Sequence, residues 1–244
     1  MHNGIGGEKL ARLRDIAMEK FLIVSPTVFE AAPVFAALGY KGKPKLGAAA
    51  TRGNVSALAS GVGCAAAAER VRGKIDELRP THVILAGFCG ACRTDMKNGD
   101  FIFKTDDDTL KTLARKFGGR EAEIVTVGRI ADTKRKLELG DSGFAGVDME
   151  GTLFENAAKE RGIKFSHLRW VSDSLESDIP PSFFQSTMNM ETGGLEISIL
   201  RTAAALAKSP KLLIKLVKFG REIAPAKRRY ESDIKSLVGA LRAS

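Results

Sequence analysis

With 244 residues, 44% of them hydrophobic and 27% charged, the chain carries enough apolar material for one closed core, which argues against disordered, collagenous and solenoid classes. Its net charge of +9 is concentrated at one end: residues 201–244 hold 11 Lys or Arg against 3 Asp or Glu, whereas residues 1–200 hold 27 against 26. Only Phe219 and Tyr230 are aromatic in that basic tail, so no base-stacking surface accompanies the charge and nucleic acid is not expected as a partner.

The first twenty residues mix acids and bases without the apolar centre of a signal peptide, and no run of about 18 apolar residues follows, so a cytoplasmic chain is expected. Phe21–Ser25 is a continuous apolar run closed by Pro26, the pattern of a strand buried on both faces, and residues 28–38 read as a helix ending at Gly39. Residues 46–51 and 55–60 form a strand pair across Arg52, Gly53 and Asn54. Gly61-Val62-Gly63 leads into an alanine-rich amphipathic helix over 64–78, stopped by Pro80. A second buried run, 82–86, ends in a glycine turn, Gly87-Phe88-Cys89-Gly90-Ala91-Cys92.

Asn98-Gly99-Asp100 turns into a strand at 101–103, followed by a helix over 108–117 and an alternating strand over 123–127. Gly146 to Glu150 approaches a helix running to Arg161, and 165–171 is the last strand. After Pro180-Pro181 the pattern is helical only, over about 190–207, 211–223 and 226–242. Strand–helix alternation with a helical C-terminal tail predicts one domain, a three-layer α/β/α sandwich, with a core over about 20–185 and a tail over about 186–244.

Ligands of such sheets bind where strands end and helices begin. Three strand ends carry carboxylates that packing does not require. Glu30 follows the first strand among apolar neighbours, and on composition alone it reads first as a solvated helix-start acid. Asp148 and Glu150 share one face if their segment is extended, so that one of them meets a ligand, or both serve a helix start. Asp173 ends the last strand beside Arg169 and Ser172, either as an N-cap or as an acid whose pKa an apolar pocket raises.

Other chemistries have little support. His2, His82 and His167 are the only histidines, the last two at strand starts, which argues against a Ser-His-Asp or Cys-His site. Cys89 and Cys92 lack the partners of a metal site, and as a redox pair they stand at the wrong place in the chain. No phosphate-loop or dinucleotide glycine pattern occurs.

In order, Ser60-Gly61-Val62-Gly63, Gly87 to Ala91, Asn98-Gly99-Asp100, Val147-Asp148-Met149-Glu150 and Arg169 to Asp173 resemble the nucleoside phosphorylase and nucleosidase superfamily, which cleaves the bond between nucleobase and ribose. The motifs look like those of methylthioadenosine/adenosylhomocysteine nucleosidases; the short middle and helical tail look more like hopanoid-associated phosphorylases. The resemblance implies cleavage of an adenosine-type, 5′-modified nucleoside in a homo-oligomer, without metal or organic cofactor. It implies Asp173 as the acid acting on purine N7, Glu30 as the base orienting water, and Glu150 with Met149 on the ribose. Gly87, Phe88, Cys89 and Gly90 would line the base, with Ser172 and Arg169 beside it, although Phe88 stands where the family has a small hydroxyl residue.

Two questions stay open at this level. Phosphate, as a co-substrate, would need cations, and residues 25–40 contain none; Arg52 and Arg93 are the candidates, reaching from a neighbouring subunit. Water is therefore favoured as the nucleophile, with phosphorolysis of an adenosylated hopanoid-like lipid and a non-catalytic nucleoside-binding protein as the alternatives. The basic stretch Lys211 to Phe219 sets Lys211, Lys215 and Lys218 against an apolar side, which fits a docked terminal helix or peripheral contact with an anionic membrane.

Overall fold

The apolar run after Lys20 forms a central strand, β1 (Phe21–Ser25), in a computed structural model that describes residues 19–177, 188–195 and 210–243. Every residue of β1 is buried, and its alternation serves two cores. Phe21 and Ile23 join one apolar cluster; Leu22 and Val24 join the other. A strand covered on both faces has no reason for polar alternation, which is why this segment reads as an unbroken apolar run.

Flanking β1 in parallel are β3 (Val55–Ala59) and β4 (His82–Ala91). β2 (Ala49–Arg52) pairs antiparallel with β3, and β9 (Lys164–Asp173) lies parallel to β4. β5 (Phe101–Thr105) is antiparallel to β9, and β6 (Arg120–Glu121) closes the order β2-β3-β1-β4-β9-β5-β6. The far end of β4 stays paired with β9 through a register shift between Cys89 and Gly90 and also pairs with β8 (Gly146–Asp148), which holds β7 (Ile124–Thr126).

Helices α1 (Val28–Ala37), α3 (Asp108–Lys116) and α6 (Pro210–Ala243) supply Phe35, Leu110 and Ile234 to one face; α2 (Ala65–Leu78) and α5 (Gly151–Lys159) supply Val71 and Phe154 to the other. The expected three-layer sandwich on a mixed sheet is present. A further helix, α4 (Thr133–Asp141), sits beside β8.

Three local expectations are corrected. Gly87–Ala91 is not a turn but the second half of a ten-residue strand, because β9 pairs with it through Gly90, across a register shift at Cys89–Gly90, and β8 joins at Gly90 and Ala91. The helix α4 has no counterpart in the sequence reading. The two helices expected on either side of Ala224–Pro225 are one, with Pro225 inside it. Downstream, Ala226, Tyr230, Ile234, Leu237, Val238 and Leu241 are buried on the sheet, and that burial outweighs the roughly 3 kcal/mol a mid-helix proline costs.

The helix expected over 190–207 falls largely outside the described residues. Its described start is instead a short antiparallel pair, β10 (Met188–Asn189) with β11 (Gly194–Leu195). Of the basic stretch, Val217 and Lys218 are exposed, while the side chains of Lys211 and Lys215 lie outside the described residues. Among the described residues no helix is long and apolar enough to cross a membrane.

Candidate active site

The C-terminal ends of β1, β4, β8 and β9 surround a cavity of about 210 Å³, closed on its outer side by residues 127–131 and α4. Glu30, Glu150 and Asp173 all line it and are 4%, 6% and 8% exposed. Met149, Phe88, Cys89, Gly90 and Ser172 line it as well. A larger hollow of about 800 Å³ lies outside, between α1 and α6; Phe29 and Lys227 line it, and none of these carboxylates does.

Glu30 is held by the start of α1. Thr27 is the N-cap and Glu30 the third helical residue, so the two form a reciprocal capping box. The Thr27 N–H and Oγ1 donate to Glu30 Oε2 at 2.8 and 2.6 Å, which leaves Oε1 to accept the Phe88 N–H at 2.7 Å. The helix-start reading of Glu30 therefore holds together with the cavity reading; only its expected solvation fails. Tyr230 Oη donates to the Glu30 carbonyl at 2.8 Å and its ring packs against Phe88, so α6 braces this corner from behind.

Both acids around Met149 line the cavity, and Asp148 also serves the framework. Asp148 Oδ1 accepts from Thr126 Oγ1 at 2.7 Å and from the Gly151 N–H at 3.1 Å, at the start of α5. Its Oδ2 accepts from Arg169 Nε at 3.1 Å and Nη2 at 2.5 Å. Burial would push the Asp148 carboxyl up, but Arg169, His167 and Thr126 outweigh it and hold the pKa below the ordinary value. Glu150 accepts from the Gly63 N–H at 3.1 Å and from Arg169 Nη2 at 3.0 Å. Burial, against the pull of Arg169 and helped by Asp148 and Glu30, pushes its pKa up to about 7.

Arg169 is fully buried, and the single charge of its guanidinium faces three carboxylates, Asp148, Glu150 and Glu30. Its Nη1 has no hydrogen-bond partner. Gly87 makes room for this arrangement: a Cβ there would run into Glu30 Oε1 and lie 2.9 Å from Arg169 Nη1.

Asp173 belongs to a second charged group. Ser172 Oγ donates to its Oδ1 at 2.6 Å, and Lys136 Nζ, on α4, pairs with its Oδ2. Burial pushes the Asp173 carboxyl up, against the opposing effect of Lys136 and Ser172. Sequence reasoning missed Lys136, since a lysine in Lys134-Arg135-Lys136 looks like one more surface charge; the only available signal was its place on a short amphipathic segment. Arg129 and Ala131, also absent from the expected set, line the outer wall.

Not all candidates gather here. Arg169 touches Glu150 but does not itself line the cavity. Arg52 is exposed on β2 beside Gly39, and Arg93 pairs on the surface with Asp95 at 3.1 Å; neither lines the cavity of its own chain. His82 lies near Ser166 (2.9 Å) and Asp107 (3.9 Å), an arrangement reminiscent of a hydrolytic triad, but all three are sealed at the opposite ends of the strands. Burial pushes the Cys89 thiol up and that of Cys92 up to about 11, so neither is a thiolate at neutral pH.

Solved structures share this architecture over most of the chain. The chain has the nucleosidase fold. Futalosine hydrolase of Helicobacter pylori matches over 91% of this chain and 98% of its own, with a TM-score of 0.62 and 15% identity. The 5′-methylthioadenosine/S-adenosylhomocysteine nucleosidase of the same organism, bound to butyl-thio-DADMe-Immucillin-A, matches over 92% and 99% with a TM-score of 0.62 and 16% identity. The S-adenosylhomocysteine nucleosidase of Streptococcus pyogenes, bound to 5-methylthiotubericidin, matches over 92% and 98% with a TM-score of 0.61 and 16% identity. Neither family models nor curated proteins match the sequence. At such identities the nucleosidase fold is what is shared.

Proposed function

We propose that the chain hydrolyses the N-glycosidic bond of a purine nucleoside. One observation carries the reading: two charged groups face one cavity from either side of the Phe88–Gly90 segment, Glu30 with Glu150, backed by the buried Arg169, on one side and Asp173 with Lys136 on the other. Breaking the bond develops positive charge on the ribosyl carbon and negative charge on the departing base, so a site with carboxylates at one end and a proton source at the other suits it.

Glu150, already an acceptor for two donors, grips ribose hydroxyls, and Met149 packs on the sugar. Water sits against Glu30, which lines the cavity. Its oxygen bonds to C1′ while its proton passes to Glu30. The electron pair of the C–N bond leaves with the base, and a proton from the Asp173–Lys136 pair arrives at N7. Phosphate is disfavoured beside Glu30, where the one guanidinium is already shared by three carboxylates. The structural neighbours include hydrolases of futalosine and of adenosine thioethers by their names, so the fold leaves the base and the 5′ group open.

Incubation with purine nucleosides, with and without phosphate, tests this directly. Free base released equally in both conditions is expected; release only with phosphate, or binding without release, overturns the hydrolytic reading.

A further inference from the structure

Lys136 stands in the cavity at a position where an aliphatic side chain would cost far less, since a buried ammonium loses several kcal/mol of hydration unless it is well paired. The residue is 4% exposed. Its stem crosses β4 over Gly90, where a Cβ would lie 2.9 Å from Lys136 Cε and 3.0 Å from Asp173 Oδ2. Glycine at that point lets the lysine reach Asp173.

The pairing changes what Asp173 can offer a base. Ser172 donates to one carboxylate oxygen and Lys136 to the other, while the ammonium keeps further N–H donors and has no acceptor. Purines differ on the edge that carries N7. A 6-oxopurine presents two acceptors there, N7 and O6; a 6-aminopurine presents an acceptor and an amino donor. A carboxylate with a free oxygen would serve the amino group, but here that oxygen is engaged and an ammonium stands beside it. Donor would face donor. With a 6-oxopurine the Lys136 ammonium meets an acceptor at O6, N7 meets the proton that Asp173 carries in its acid form, and the charge that the departing base delocalises onto O6 meets a fixed cation.

We propose that Lys136 is the specificity-determining residue of the base subsite and selects a 6-oxopurine, donating from Nζ to O6 while Asp173 serves N7. This rests on the purine-nucleoside reading of the cavity and departs from the adenosine-type base that the resemblance implies. Lys136 acts on the choice of base, and the attack of water on C1′ does not involve it.

The test compares inosine with adenosine as substrates, and free hypoxanthine with free adenine as ligands by calorimetry, for the unaltered protein, Lys136→Met and Lys136→Arg. Inosine and hypoxanthine should be preferred by about 10- to 100-fold, the worth of one good polar pair. Lys136→Met should abolish the preference and Lys136→Arg should keep it, with thermal melting confirming that each variant folds. Preference for adenosine or adenine, or a hypoxanthine preference that survives Lys136→Met, overturns the assignment and leaves the nucleosidase reading standing. Lysine-dependent hypoxanthine binding without cleavage of either nucleoside supports the assignment and defeats the hydrolytic reading. If neither base binds and neither nucleoside is cleaved, both fall.

Discussion

Arg169 and Asp148 meet through two nitrogens on one oxygen, Nε at 3.1 Å and Nη2 at 2.5 Å from Oδ2, with the guanidinium fully buried. A buried pair adds little net stability, yet removing one partner strands the other charge. Asp148→Asn keeps the side chain's shape and the contacts of Oδ1 but takes away the countercharge. It should lower unfolding stability by about 3–5 kcal/mol in urea denaturation. A loss below about 1 kcal/mol would mean that Glu150 and Glu30 alone neutralise Arg169.

Glu30 serves the helix and the cavity at once, and two substitutions separate these roles. Glutamine at the third helical position also completes a capping box, so Glu30→Gln should stay within about 1 kcal/mol of the unaltered protein. Hydrolysis should nonetheless fall by about 10²-fold or more, because the amide cannot take a proton from water. Glu30→Ala should lose both, with a stability deficit of about 1–2 kcal/mol from the cap. Full turnover by Glu30→Gln would remove Glu30 from the reaction.

Asp173→Asn should reduce kcat by about 10²- to 10⁴-fold with a much smaller change in KM, as expected for a group that acts on the leaving base in the transition state. It also strands Lys136 in a buried place. The single variant should therefore melt earlier than the double variant Asp173→Asn/Lys136→Met, in which no charge is left unpaired. Equal melting temperatures would show that Lys136 finds another partner or water.

Glu150 grips ribose hydroxyls most strongly when ionised, with both oxygens as charged acceptors, and its pKa is pushed up to about 7. The value of kcat/KM should fall as pH drops through that region, and Glu150→Gln should flatten this limb while weakening ribose binding. A limb that persists unchanged in Glu150→Gln would belong to another group.

What was legible in the sequence followed from chemistry that leaves a local trace. β1 was visible because a strand buried on both faces must be apolar throughout, and α2 because alanines and Pro80 mark its course. Glu30, Glu150 and Asp173 could be singled out because a carboxylate at the end of an apolar strand has no packing role, and the cavity does gather all three. Lys136 left no such trace: its importance comes from pairing with Asp173, 37 residues away in sequence and brought close only by tertiary packing. The same holds for β4, whose continuation through Gly87–Ala91 depends on pairing with β9 and β8, both distant in sequence, while its glycines look like a turn. Pro225 misled for a related reason, since its cost is local and the burial that offsets it is spread over the following turns.

His82 gives the fold a pH dependence that can be isolated from the site. Buried at the start of β4 beside Ser166, its imidazole pKa is lowered to about 4 by burial, with Asp107 pulling upward and Lys164 pushing further down. An unfolded histidine titrates near 6.5, so between pH 6.5 and 4 the unfolded chain binds more protons at this residue than the folded one. Its neutral form is thus compatible with folding at full stability above about pH 6.5, and that stability is lost as pH falls toward 4. Glu150 works in the opposite sense over pH 4.5–7, because its raised pKa makes the folded state hold the proton. His167, lowered to about 4 by burial as well, works in the same sense as His82, so the net slope of the whole protein does not isolate His82. Comparison with His82→Gln removes the common background: relative to the unaltered protein, this variant should gain up to about 3 kcal/mol between pH 7 and pH 4 in urea denaturation. A stability difference that stays constant over this range would mean that His82 titrates normally in the folded state, through water reaching the end of β4.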